Sequence, residues 1–144
     1  MHEKIAALIT TNDVCVLATA SGMTPHCSLM SYAVTDDGRE IWLATHKNTK
    51  KYKNMEENPR VSILIDSRER DREDRRSRAK ALTISGVMET ARERDKIAAI
   101  RSRLLARHPH LAAFLDHPDA VFLVFRAERY QLLEGVDAAY YEEA

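Results

Sequence analysis

Between residues 14 and 45 three β-favouring runs follow one another with only turns between them, and no other feature of the chain limits its fold so strongly. Val14-Cys15-Val16-Leu17-Ala18-Thr19 stops at Ser21-Gly22, and a second run starts at Pro25 and passes through His26, Ser28, Met30, Tyr32 and Val34. After Asp36-Asp37-Gly38 the chain returns as Glu40-Ile41-Trp42-Leu43-Ala44-Thr45. Asp-Gly tolerates the positive φ angles of a tight hairpin, so the turns predict consecutive antiparallel strands.

The rest of the chain supports this reading. Ile5, Leu8 and Ile9 have helical spacing and predict a short amphipathic helix over roughly residues 2–11. Residues 47–58 favour a helix that Asn58-Pro59 ends, because the residue before proline is pushed out of the α region. Val61 to Ile65 and Ala81 to Met88 are the fourth and fifth strands. Thr90-Ala91-Arg92-Glu93 fits a capping box, and the helix it opens carries Ile97, Ile100, Leu104 and Leu105 as far as His108-Pro109. A shorter helical piece at Leu111 to Leu115 ends at His117-Pro118, and a sixth strand runs from Val121 through Tyr130 and Leu133 to Gly135. These elements lack the βαβ alternation of a parallel sheet. They predict one domain over residues 1–144: mainly β with peripheral helices, a six-stranded antiparallel Greek-key barrel. Ser67 to Arg78 contains six Arg and four acidic residues and no apolar one, so it reads as a solvated loop or frayed arm with no face for a core.

Composition excludes several functions. The 22 basic and 22 acidic residues cancel, which removes the basic excess expected of a nucleic-acid or anionic-membrane binder. No run approaches the ~18 apolar residues of a membrane span, and the first residues do not resemble a secretory signal, so a cytoplasmic location is expected. Four glycines, at 22, 38, 86 and 135, rule out both Gly-rich phosphate loops. Cys15 and Cys27 read as free, buried thiols. His108, His110 and His117 lack the spacing of metal ligands on one helical face and read as loop histidines. No nucleophile elbow or paired-carboxylate motif points to a hydrolase.

Chemistry concentrates where strand three gives way to a helix, at Thr45-His46-Lys47-Asn48-Thr49-Lys50-Lys51. A helix start attracts anions and disfavours cations, yet Lys50 and Lys51 sit in the first turn with Asn54 and Met55, not acids, four residues on. A phosphate held by Thr49, Lys50, Lys51 and local amides resolves the conflict. The alternative is two solvated lysines at a surface helix end, a penalty of only about 0.3–1 kcal/mol. His46 is either a second contact with the phosphate or solvent-exposed.

The ordered set Val16-Leu17-Ala18-Thr19, Gly22, Pro25-His26-Cys27-Ser28, Asp37-Gly38, Ile41-Trp42-Leu43-Ala44-Thr45, Thr49-Lys50-Lys51, Asn54, Asn58-Pro59-Arg60-Val61 and Gly86 with Glu89 resembles the pyridoxamine 5′-phosphate oxidase-like, FMN-binding split-barrel family over roughly residues 10–90. The resemblance implies a split β-barrel homodimer with FMN in a cleft at the subunit interface. It implies Thr45, Thr49, Lys50 and Lys51 as phosphate ligands, and the segment from Cys27 through Ser28, Leu29, Met30 and Ser31 to Tyr32 along the flavin ring. Alternation places Ser28, Met30 and Tyr32 on one face of that strand and Cys27, Leu29 and Ser31 on the other, and either set could meet the ring while the other enters the core.

The reading is then an FMN-dependent oxidoreductase acting on a small molecule. A flavin- or haem-binding module without a dedicated substrate, or a deazaflavin F420-dependent reductase, are the alternatives. True oxidases of the family carry basic and histidine residues near the C-terminus for the substrate's phosphate. Residues 135–144 here contain none, so efficient pyridoxamine phosphate oxidation is not expected.

Overall fold

The computed structural model describes residues 1–68 and 78–144. Its elements are α1 (Glu3–Thr11), β1 (Val14–Ser21), β2 (Thr24–Ser31), β3 (Ala33–Val34), β4 (Glu40–His46), α2 (Lys50–Glu57), β5 (Arg60–Asp66), β6 (Lys80–Thr90), α3 (Arg94–Arg107), a 3-10 turn at Pro109–Leu111, α4 (Ala112–Asp116), β7 (Ala120–Glu134) and β8 (Ala138–Glu143). Neighbouring strands lie in the order β2-β1-β5-β6-β7-β4-β3, with β8 against β7, and every described pair is antiparallel. β2 and β3 stand at opposite ends of that order yet are separated in the chain only by Tyr32. The sheet therefore curls until its two edges meet at this residue, which makes a split barrel.

Tyr32 is fully buried at the seam. Its N–H donates to the Asp13 carbonyl at 3.0 Å, its hydroxyl donates to the Ile9 carbonyl at 2.6 Å, and its own carbonyl accepts from His108 Nε2 at 2.8 Å. Burial pushes the phenol pKa up, so the hydroxyl stays a donor. Arg107 lies over the ring at 5.6 Å and donates to the carbonyls of Thr10 and Asn12. His108 is thus a buried strut, not the loop histidine expected from its place among prolines, because the end of α3 lands on the seam.

Inside the barrel Cys15 and Leu17 of β1, Val61, Ile63 and Ile65 of β5, and Leu82 and Ile84 of β6 alternate inward with period two and pack against Ile5, Leu8 and Ile9 of α1. Outside, α3 and α4 cover β4 and the first half of β7 through Ile100, Leu104 and Leu115, which meet Ala33, Trp42, Ala44, Phe122 and Val124. These strand segments are buried on both faces, so Ile41 to Ala44 and Phe122 to Phe125 read as unbroken apolar runs. Trp42 Nε1 donates to Glu40 at 2.9 Å. Burial pushes the Glu40 carboxyl up, but hydrogen bonds from Lys96 and Trp42 and the charges of Lys96 and Arg126 outweigh it and hold the pKa below the usual value.

Several expectations change. The second predicted strand divides at the seam into β2 and β3, and residues 138–143 form an eighth strand. That strand is almost wholly exposed, so it has no hydrophobic period for a sequence to display. No capping box opens α3: Thr90 ends β6 and shares a hydrogen bond with Tyr52 at 3.2 Å, and Glu93 is the N-cap without a side-chain bond. The helix predicted over 47–58 is shorter, since residues 47–49 form its entry turn. Cys15 is buried, with its thiol pushed up to about 12 by desolvation, whereas Cys27 is exposed on an edge strand. Of the Arg-rich stretch, residues 69–77 lie outside the described residues. Ser67 at its edge is buried and its hydroxyl accepts from Lys80 N at 2.7 Å, because β5 and β6 pair up to this point. No described helix is long and apolar enough to cross a membrane.

Gly86 has a specific cause. The β6–β7 register shifts between Ser85 and Gly86, and a Cβ on Gly86 would stand 2.1 Å from the Arg126 carbonyl oxygen. Only a residue without a side chain permits the two backbones to approach this closely.

The Tyr32→Phe variant, which keeps the ring and strands the Ile9 carbonyl, is expected to fold and to lose about 1–2 kcal/mol of stability in urea denaturation.

Candidate functional site

Past the seam β2 and β4 diverge, and the gap between them is a cavity of about 230 Å³ lined by Leu29, Met30 and Ser31 of β2, Ala44 and Thr45 of β4, Lys51 of α2, Leu104 of α3, Leu111 and Phe114. It is polar and cationic where Thr45 and Lys51 enter and apolar where the helices close it.

The polar end is built by the entry to α2. Thr49 is the N-cap: its hydroxyl accepts from Tyr52 N at 3.4 Å and donates to the His46 carbonyl at 2.8 Å. With that proton committed, the 3.3 Å contact between the Thr45 and Thr49 hydroxyls has Thr45 as donor. The first-turn amides of Lys50 and Lys51 precede the first intrahelical donor, Lys53 N, and have no partner within the helix. On the other face of α2, Tyr52, Asn54 and Met55 are buried, and Asn54 Nδ2 donates to the Thr19 hydroxyl at 3.1 Å. That anchor turns the lysines outward. Lys47 pairs with Asp119 at 3.5 Å, but among the described residues Lys50 and Lys51 have no carboxylate partner.

Of the sequence-predicted residues, Leu29, Met30, Ser31, Thr45 and Lys51 come together in the cavity lining. His46, Thr49 and Lys50 form the turn that adjoins it, and Cys27 and Ser28 lie further along β2, outside the lining. Met30 and Ser28 pair with inward-facing Cys15 and Leu17, so they face the core, while Cys27, Leu29 and Ser31 face out. Leu29 is 75% exposed and also borders a second groove of about 470 Å³ on the β1 side, with Val14, Val16 and Leu64. The sequence reading missed Ala44, Leu104, Leu111 and Phe114. Their spacing shows helix or strand, but nothing local places α4 against the end of β4. A cavity of similar volume at the other end of β4, lined by Met1, Arg39, Tyr130 and Glu142 among others, adjoins the start of α1, where Glu142 already accepts from His2 N at 3.2 Å.

The sequence profile of the pyridoxamine 5′-phosphate oxidase family matches residues 1–134. This chain belongs to that family. No curated protein matches it by sequence. Solved structures repeat the family fold. A heme binding protein from Mycobacterium smegmatis superposes with a TM-score of 0.81 at 24% identity, over 96% of this chain and 55% of its own, so the chain spans little more than half of that relative. An FAD-binding protein from Mesorhizobium loti gives a TM-score of 0.74 at 21% identity over 97% of this chain and 93% of its own. General Stress Protein 26 from Bacillus anthracis gives 0.74 at 17% identity, over 99% and 97%. At these identities the likeness establishes the split barrel alone.

The family's turn between β4 and α2 depends here on the Thr49 cap. Thr49→Ala is expected to destabilise the protein by about 1 kcal/mol, a fall of roughly 3 °C in Tm by thermal denaturation.

Proposed function

We propose that this chain is a flavoprotein that holds FMN in the cavity between β2 and β4, with the phosphate at Thr45, Thr49, Lys50 and Lys51, and that it acts as an oxidoreductase on a small molecule. One observation carries the reading. Two lysines stand in the first turn of a helix, where cations are disfavoured, and no described carboxylate offsets them, while two backbone amides beside them lack helical partners. A phosphate monoester beside Thr45 supplies the missing charge and accepts from the amides and the ammonium groups.

The donor set fits the group. Thr49 serves through the turn that it caps, because its hydroxyl is engaged by His46 and Tyr52. Leu29, Met30 and Ser31 offer strand backbone and an apolar edge to the ring. A bound flavin supplies the redox chemistry. The chain neutralises the phosphate, orients the ring along β2 and excludes water with Leu104, Leu111 and Phe114. The family's neighbours include one that binds FAD and one that binds heme. Flavin is favoured over haem because no imidazole or thiol belongs to the cavity lining, and His46 Nε2 is already bonded to the Phe114 carbonyl at 3.1 Å.

A homodimer belongs to the same proposal. Among the described residues no helix lies over the outer face of β1 and β2, which leaves Leu29 75% and Val14 41% exposed. Leu29 also forms the rim of the cavity, so a second copy seated on this face would close the side that one chain leaves open. A cytoplasmic location is in keeping with two free thiols.

The Lys50→Ala/Lys51→Ala double variant is expected to keep its fold by circular dichroism and to bind FMN at least about tenfold more weakly in a fluorescence titration, as the loss of two charge-assisted contacts requires. Undiminished affinity would overturn the placement. Chromatography of the heat-released cofactor separates FMN from FAD, haem and F420. In sedimentation at micromolar concentration the wild type is expected as a dimer and Leu29→Arg as a monomer; a monomeric wild type refutes the shared site.

A further inference from the structure

The geometry points to Phe114 as the aromatic wall against which the ring of the bound flavin rests, with His46 and His117 as positioning residues that hold it. This inference rests on the flavin reading above. Phe114 lies on α4 and lines the cavity, and it remains 37% exposed while its neighbour Leu115 is buried in the core beneath. The helix is thus anchored by Leu115, and Phe114 is left for the cavity.

What fixes the Phe114 ring comes from the strand that also supplies Thr45. His46 stacks on it with ring centroids 4.0 Å apart and planes at 14°, and His117 stacks on His46 at 4.5 Å and 21°. His46 Nε2 donates to the Phe114 carbonyl at 3.1 Å, so both the backbone and the ring of Phe114 are tied to the end of β4. The tie is made near the phosphate end of the cavity, since Thr49 caps α2 through the His46 carbonyl. Lip and phosphate turn are therefore one unit.

The outer ring of the stack is held by the turn that follows α4. His117 Nδ1 accepts from Asp119 N at 3.0 Å, so that nitrogen carries no proton. The charged groups around the stack are Lys47 of the β4–α2 turn, paired with Asp119, Asp116 of α4, bonded to Arg101 of α3, and Lys51 of α2 in the cavity. Both carboxylates are thus already paired.

The test titrates FMN by flavin fluorescence against the wild type, Phe114→Leu, Phe114→Tyr, His117→Ala and His117→Gln, with circular dichroism to establish folding. Leucine keeps the apolar volume without a ring, and its variant is expected to bind roughly three- to tenfold more weakly, while tyrosine restores affinity to within about twofold. Alanine at position 117 removes the acceptor for Asp119 N and is expected to bind at least about threefold more weakly, while glutamine, which keeps an acceptor there, restores affinity to within about twofold. Wild-type affinity in folded Phe114→Leu overturns the wall, and wild-type affinity in folded His117→Ala overturns the positioning role. A wild type that binds no FMN refutes the flavin reading itself and this inference with it.

Discussion

The hydrogen bonds around Tyr32 hold the two edges of one sheet together, and the rest of the molecule is arranged about that seam. A curled sheet gains stability from closure only where its first and last strands are brought within reach of each other. Here one continuous segment belongs to both edges. Tyr32 engages the carbonyls at the end of α1 and the start of β1 with its hydroxyl and amide, and it offers its carbonyl to His108 at the end of α3. Arg103, one helical turn before Arg107, donates to the Val34 carbonyl at 3.0 Å, on the far side of the same seam. Two helices distant in the chain thereby hold the point where the barrel closes.

The cavity follows from that closure. Pinned at one residue, β2 and β4 must separate on either side of it, and the separation exposes strand backbone and the end of β4 to whatever fills the gap. The helix start at Thr49 faces this gap because Asn54 and Met55 pin the opposite face of α2 to the barrel. The uncompensated charge of Lys50 and Lys51 is therefore a product of packing on the other side of the helix. The α3–α4 pair closes the apolar end for a similar reason: it covers Trp42 and Ala44 on the outside of β4, and Phe114 reaches the cavity as a by-product of burying Leu115.

Much of this was legible in the residues. The hairpin at Gly22 and the turn at Gly38 have positive φ at 56° and 74°, as their turn chemistry required. The apolar spacing of Ile5, Leu8 and Ile9 in α1 matches its buried face. The Thr45 to Lys51 segment marked itself by a local conflict of charge with helix polarity. The failures also have local causes. Thr90 to Glu93 has the composition of a capping box, but strand pairing with Leu123 and a bond to Tyr52 hold Thr90 in β6. The exposed β8 carries no period, and His108 resembled a loop residue because its partner lies 76 positions away.

Sequence alone determined the antiparallel, mainly β character of this protein and the turn at Thr45 to Lys51 where charge conflicts with helix polarity, because hairpin chemistry, side-chain period and helix polarity all act over a few neighbouring residues. The tertiary structure alone decided which face of β2 enters the core, where the barrel closes, and that Phe114 and His46 meet at the cavity. Each of those depends on contacts between segments tens of residues apart. Such contacts form only when burying apolar surface outweighs the entropy of closing the chain between them, a balance of the whole fold that no short window contains.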